Sequence, residues 1–292
     1  MSGVALRERL VLLDELRQIV TAMRNLAYAE LQRLNRMQAA CARADETIER
    51  ALADTVPAVG APPPRATGTV WLVIGSERGF CGGFNDQLAD ALAGLVERET
   101  DAQWMIAGTR LRQRLEPVLH HAAWLDGCTG TEDAPACVDT WMSRLASSAP
   151  AGPAPTPSLW LLHHAEHGVA RRRMLPLPDL PAPSAGPPPA RYLPRAQLLP
   201  KLMAEMLRVA LLGALLQSLQ QENHWRLAQM QRAQDYLDEA GGRLRRRYFR
   251  QRQSDITSEL ETLMASLDAT GMKPPVRAAL SPASRHSART AS

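Results

Sequence analysis

Apolar residues recur every three or four positions from one end of the chain, at Leu6, Leu10, Leu13, Leu16, Val20, Met23, Ala27, Leu31, Leu34, Met37 and Cys41. Steps averaging about 3.5 residues make a heptad seam. No proline precedes Pro57 and no glycine lies between Gly3 and Gly60, so nothing ends the helix early. Carried to Leu52, it would be ~70 Å long. A rod of that length buries only a narrow stripe and needs an equally long partner. The other end of the chain supplies one. Beyond Pro200 a second seam runs Leu202, Met206, Val209, Leu212, Leu216 and Leu219. It resumes at Leu227, Met230, Leu237 and Leu244, then at Ile256, Leu260, Leu263 and Leu267. With no proline before Pro274, this helix could reach ~100 Å, although Gly241 and Gly242 weaken it by about 1 kcal/mol each. Two such seams in one chain meet if the chain folds back, which predicts an antiparallel intramolecular coiled coil.

Between the seams the period changes. Thr69 to Ile74 (TVWLVI) reads as a buried strand, and Gly75 leads through a glycine-rich turn into an amphipathic stretch, Asn85 to Val96. Gln103 to Ala107 reads as a second strand followed by a helix near Thr109 to Leu119, and Ser158 to His163 as a third strand. Strands alternating with helices predict a small parallel α/β sheet. The predicted domains are a helix over 1–56, an α/β domain over 66–176, a second helix over 191–270 and a disordered tail over 271–292. Pro-rich stretches at Pro57 to Arg65, Pro150 to Pro157 and Pro176 to Pro189 read as connectors.

Charge and cysteine usage exclude more than they select. The net charge is +4, mild enough for an acidic protein partner without arguing for nucleic acid. The dense run Arg243, Arg245, Arg246, Arg247, Arg250 and Arg252 has only Tyr248 and Phe249 as stacking aromatics, so it reads as a solvated or protein-facing helix face. No apolar run approaches the ~20 residues of a spanning helix, and acidic residues from Glu8 onward interrupt any signal peptide. Cys41, Cys81, Cys128 and Cys137 show no CxxC spacing and read as free thiols.

Gly75 to Asn85 (GSERGFCGGFN) sits between a strand and a helix, where phosphate-binding turns occur. It lacks both GxGxxG spacing and the Lys-Ser/Thr of a P-loop. Gly79, Cys81, Gly82 and Gly83 are therefore read as a structural turn that lets strand and helix pack closely. Cys81 as a nucleophile would need His163, His164 or His167 beside it, and no orienting residue is evident. His163 and His164 point to opposite faces of a strand and cannot jointly chelate a metal; they are expected at the surface or a strand end. No catalytic, metal-binding or cofactor-binding residue is predicted.

Four segments together resemble the gamma chains of F-type ATP synthases. Ile19 to Ala27 (IVTAMRNLA) is similar to their N-terminal signature, with Thr21 where they carry lysine. Ser76 to Asn85 resembles their S-D-R-G-L-C-G-G-L-N. Glu222, Arg226 and Met230 match a third segment, preceded by Tyr192-Leu193-Pro194. Tyr248 to Leu260 (YFRQRQSDITSEL) matches a fourth at Tyr248, Arg252, Gln253, Ile256, Thr257, Glu259 and Leu260. The resemblance implies an α/β fold class in which a long antiparallel coiled coil carries a small, Rossmann-like parallel α/β domain. It implies a central rotor that couples ion flow through a membrane ring to ATP synthesis or hydrolysis, itself non-catalytic and cofactor-free. Expected partners are the alpha and beta subunits of the catalytic hexamer, the epsilon subunit and the membrane c-ring, at the cytoplasmic face of the cell membrane. Neither nucleic acid nor nucleotide is expected to bind. Met23, Arg24, Arg252, Gln253 and Thr257 match family positions at the rotor–stator contact. Divergence at Thr21 and Phe249, and Gly241-Gly242, suggest an accessory enzyme, including the sodium-translocating kind. The alternatives are a coiled-coil scaffold without a motor, or an α/β enzyme using Cys81, which would need a deep pocket beside Gly82.

Overall fold

The structure, a computed structural model, describes residues 3–55, 68–148, 157–176 and 190–269. The Pro-rich connectors, apart from Pro157 and Pro176, and the predicted tail lie outside the described residues. Both terminal seams form continuous helices: α1, Gly3–Ala53, and α5, Arg195–Ala269. α5 begins at Arg195, inside the predicted 191–270, ahead of the apolar seam, and carries Pro200 inside it. The proline removes one amide, the partner of the Ala196 carbonyl. Ala196 and Pro200 are both exposed, so water can take that place. The carbonyl of Pro194 receives the amides of Gln197 and Leu198, at 2.9 and 3.0 Å, and starts the helix.

The chain divides into two compact units, Met1–Glu15 with Asp238–Ser292, and Leu16–Leu237. In the first, α1 and α5 run antiparallel, with Asp14 facing Arg245 at 3.8 Å and Gly3 lying beside Asp255. Leu6 is buried between them. The last part of the second seam continues past Gly3, and Ile256, Leu260, Leu263 and Leu267 are exposed. Arg243 is taken up by Glu239 at 2.7 Å, and most of the arginine run is solvated.

In the second unit the same two helices pair through Arg24 and Gln234 at 2.6 Å, Gln38 and Gln220 at 3.0 Å, and the Cys41 thiol on the Val209 carbonyl at 3.5 Å. Between them in sequence come β1 (Thr69–Ile74), α2 (Phe84–Val96), β2 (Gln103–Ala107), α3 (Thr109–Leu115), β3 (Ala122–Leu125), α4 (Ala134–Ser148), β4 (Ser158–Ala165) and β5 (Gly168–Leu175). They build one sheet in the order β3-β2-β1-β4-β5. The first four strands are parallel, as expected, but β5 returns antiparallel to β4 as a hairpin, so the sheet is mixed.

Alternate residues of each central strand feed two cores. Leu72, Ile74, Met105 and Leu161 face Leu34, Trp141, Leu211 and Leu215 of the helices. Trp71, Val73, Ile106 and Leu162 face Phe84, Leu88, Leu92 and Leu111 of α2 and α3. Each fully buried leucine of these layers contributes ~1.5–3 kcal/mol. One stretch of α5 is apolar enough, by length and composition, to cross a membrane, which the sequence reading did not anticipate. Half of it is buried inside the protein, as in a core helix.

Candidate functional site

In an open parallel sheet, ligands bind in the crevice outside the carboxyl ends of the strands. Here that crevice is occupied by the protein's own groups. Glu77, just after β1, accepts the Thr109 amide at 2.9 Å, the Thr109 hydroxyl at 2.6 Å and the Gly127 amide at 2.9 Å. One carboxylate thus ties together the chain leaving β1, β2 and β3. Burial alone would raise its pKa, but the bonds from Thr109 and Gly127 outweigh that and hold it below the usual carboxylate range. The place where a phosphate would meet backbone amides is filled by Glu77.

The turn itself is closed by short-range bonds. Asn85 accepts the Ser76 amide at 3.1 Å and donates to the Ser76 hydroxyl at 2.7 Å. Cys81 is buried against Ser76, with 3.4 Å between hydroxyl and thiol, and burial pushes its pKa up. Its partners are Ser76, Asn85 and the carbonyl of Arg78, and no histidine is among them. A buried thiol held protonated is a poor nucleophile. Gly82 has a φ of 56°, and a β-carbon there would meet Trp225 of α5 at 3.4 Å. The space beside Gly82 that a Cys81 enzyme would use is therefore taken by an indole. Gly83 caps α2, and Gly79 offers its carbonyl to Arg226 at 3.3 Å.

Above the turn, α5 presents a buried polar ladder. Arg226 donates to Glu222 and, at 2.9 Å, to Asn223. Burial drives the Glu222 carboxyl up to about 6, against the pull of Arg226. A pair like this gains little net stability but is costly to break. From the other side, Glu30 of α1 accepts the amide and hydroxyl of Thr131, and Arg33 meets Glu132 at 3.0 Å. A cleft of about 510 Å³ is left, lined by Met23, Glu30, Arg78, Phe80, Arg110 and Arg226 among others. Phe80 stands 64% exposed at its rim, with a φ of 63°.

The two histidines correct the sequence reading. Both His163 and His164 are buried rather than at the surface or a strand end, because β4 runs on to Ala165 and its faces are packed. They do point to opposite faces. His164 donates from Nε2 to the Phe84 carbonyl at 2.8 Å and stacks on that ring. His163 shares the face of Leu159 and Leu161, and neither of its ring nitrogens has a partner.

The residues expected at a rotor–stator contact fall into both units. Met23 is half-buried and lines the cleft, and Arg24 is engaged by Gln234 across the helix pair. Arg252, Gln253 and Thr257 are exposed on α5, with the Thr257 hydroxyl bonded back to the Gln253 carbonyl at 2.9 Å. Glu77 and Glu30, the two carboxylates that hold the domain together, escaped sequence reasoning. Their partners are backbone amides and hydroxyls 32 to 101 positions away, for which a sequence carries no signal.

Two long terminal helices with a mixed α/β sheet between them in sequence define the class of stalk-type structural subunits. An ATP synthase family model matches residues 2–269. The chain belongs to this family, as a gamma-type member. It is similar to an ATP synthase gamma chain of Geotalea uraniireducens (strain Rf4), at 26% identity over 290 residues, 91% of this chain and 97% of that relative. Two solved structures from Euglena gracilis mitochondrial ATP synthase share the fold. One is a chain of its rotor in rotational state 1, with TM-score 0.59 and 13% identity over 87% of this chain and 98% of that chain. The other comes from its OSCP/F1/c-ring assembly in rotational state 3, with TM-score 0.60 and 13% identity over 94% and 97%. Family membership makes the chain a non-catalytic central-stalk subunit of a membrane-associated complex, because the catalytic sites lie in the beta subunits.

Proposed function

We infer that this chain is the rotor of a rotary ATP synthase or ATPase, turning inside a hexamer of alpha and beta subunits, with epsilon and a membrane c-ring at its foot, on the cytoplasmic face of the cell membrane. The observation that carries this reading is the match of one family over 2–269, which takes in both long helices and the domain between them in sequence. A single asymmetric rod can bias three like sites only through contacts that differ between them. The apolar residues of α5 beyond Asp255 support the reading, since Ile256, Leu260, Leu263 and Met264 are 47 to 66% exposed and gain from a surrounding sleeve.

Met23, Arg24, Arg252, Gln253 and Thr257 are the proposed rotor–stator contact, and Gly79, Cys81, Gly82 and Gly83 a turn of purely structural purpose. The exposed polar pair is the sharper test. Gln253 and Thr257 sit outside any apolar seam, so truncating both to alanine leaves the shaft folded. Each lost hydrogen bond is worth about 0.5–1.5 kcal/mol, and a loss of ~1.4 kcal/mol in a limiting step slows it tenfold. Purified complexes carrying Gln253→Ala with Thr257→Ala are expected to assemble fully and hydrolyse ATP roughly tenfold more slowly. Unchanged turnover with full subunit content would remove these positions from the contact. Failure of the wild-type chain to co-purify with alpha and beta subunits would remove the rotor reading itself.

A further inference from the structure

Gly241 and Gly242 stand side by side inside α5, and no static feature of the structure calls for either. Other glycines of the chain have such a reason. A β-carbon at Gly75 would meet Leu111 at 2.3 Å, one at Gly127 would meet Glu77 at 2.7 Å, and Gly82 and Gly108 hold φ at 56° and 105°. The pair in α5 has neither kind. Gly241 lies on a covered side of the helix, yet a β-carbon there would meet nothing within 4 Å. One at Gly242 would meet only the end of the Arg246 side chain, at 3.7 Å. Neither is among the glycines with positive φ. Alanine fits at both places and favours the helix, so the pair weakens α5 with no return in packing.

The surroundings do not make up that loss. Among the described residues, no apolar side chain of α5 is fully buried past Met230, and none of α1 is between Leu6 and Ala27. Leu237 and Leu244, the seam positions on either side of the glycines, are half-buried, and Leu12 and Leu16 of α1 are 54% and 40% exposed. The ion pair of Arg243 with Glu239 spans the glycines at 2.7 Å, but both side chains are more than half exposed, which leaves it weak. Helix with few buried apolar contacts opens locally at low cost, and glycine pairs are places where helices kink. We propose that Gly241 and Gly242 form a flexure in α5, where a few helix hydrogen bonds open and reclose and the helix bends. The bonds concerned are those donated by the amides of 241–246 to carbonyls four residues back. Bending there lets the exposed stretch that carries Gln253, Ile256 and Thr257 change its angle as it meets the subunits around it. That use rests on the rotor reading given above; the flexure itself does not.

Native-state hydrogen exchange on the full chain, read by mass spectrometry, tests the flexure. The amides of 241–246 are expected to exchange faster than those of 231–236 in the same helix. In a chain carrying Gly241→Ala with Gly242→Ala, exchange at 241–246 is expected to slow about thirtyfold while 231–236 stays as it was. Exchange at 241–246 no faster than at 231–236 in the wild type, or equal in the two proteins, overturns the proposal. The same measurement on complexes purified with alpha and beta subunits decides the use. Faster exchange at 241–246 inside the complex supports it, and protection equal to that of 231–236 overturns it. A wild-type chain that does not co-purify with those subunits removes the rotor reading and leaves the flexure to stand or fall on the first measurement.

Discussion

Replacing His163 by leucine should make the protein more stable and less sensitive to mild acid. His163 is 3% exposed, and both ring nitrogens lack partners. Burial first, then the His164 ring and the neighbouring positive charge of Arg172, pull its pKa from an ordinary 6.5 to about 4. Above pH 6.5 both folded and unfolded chains hold it neutral. Between 6.5 and 4 the unfolded chain binds a proton that the folded one refuses, so stability is lost as the pH falls. At about 1.36 kcal/mol per pH unit, lowering the pH from 7.5 to 5 costs about 2 kcal/mol through this residue. Glu222 acts in the opposite sense. Its folded pKa of about 6 exceeds the ordinary 4.5, so its contribution is greatest below 4.5 and is lost as the pH rises through 6. Being present in both proteins, it cancels in their difference. Leucine also removes two orphaned polar atoms, which is worth about 1–3 kcal/mol even at pH 7.5. Urea unfolding followed by circular dichroism at pH 7.5 and pH 5 measures all of this. Parallel losses in wild type and His163→Leu would refute the reasoning.

Gly82→Ala should destabilise the domain by about 1–2 kcal/mol, because its left-handed backbone disfavours a β-carbon and Trp225 stands 3.4 Å away; an unchanged melting temperature would contradict this. Arg226→Ala should cost about 3–5 kcal/mol near neutrality by stranding the buried Glu222 carboxylate. The same variant should regain part of that loss at pH 5, where Glu222 is protonated, so denaturant midpoints that fall between pH 8 and pH 5 would count against the pairing.

The parts of this fold that were legible in the sequence are those governed by one period. The α1 seam from Leu6 to Cys41 needs only a spacing of three or four, and β1 is a run of six apolar or β-branched residues bounded by glycine. β3 is four residues long with only Leu125 buried, and β5 carries Arg171, Arg172 and Arg173 in its centre. Neither presents an apolar face of its own, because each is an outer strand whose register comes from its neighbour. The histidines are misplaced by the sequence because the third strand reads as stopping at His163, whereas β4 runs on to Ala165. Pro200 is tolerated inside α5 because a proline near an exposed helix start costs one bond that water can replace. The heptad also ran on through Leu267, but a seam states only what a helix would bury, and beyond Asp255 α1 no longer covers it.

Glu77 sits at the carboxyl ends of three strands. A sheet of this topology exposes free amides at the ends of β1, β2 and β3, and such amides attract an anion. A ligand there would be exchangeable, and the domain would open and close with it. Glu77 supplies the anion from within the chain, Gly75 lets Leu111 of α3 approach the end of β1 directly, and Trp225 closes the turn from α5. Glu30 adds a fourth tie from α1 to the stretch after β3. Every one of these contacts converts a site that could bind and release into a fixed joint between sheet and helices. A subunit that transmits torque needs such joints, because any ligand-dependent slack in them would absorb rotation before it reached the hexamer. The contacts that fix sheet to helices are thus the ones that fit this domain to carry load.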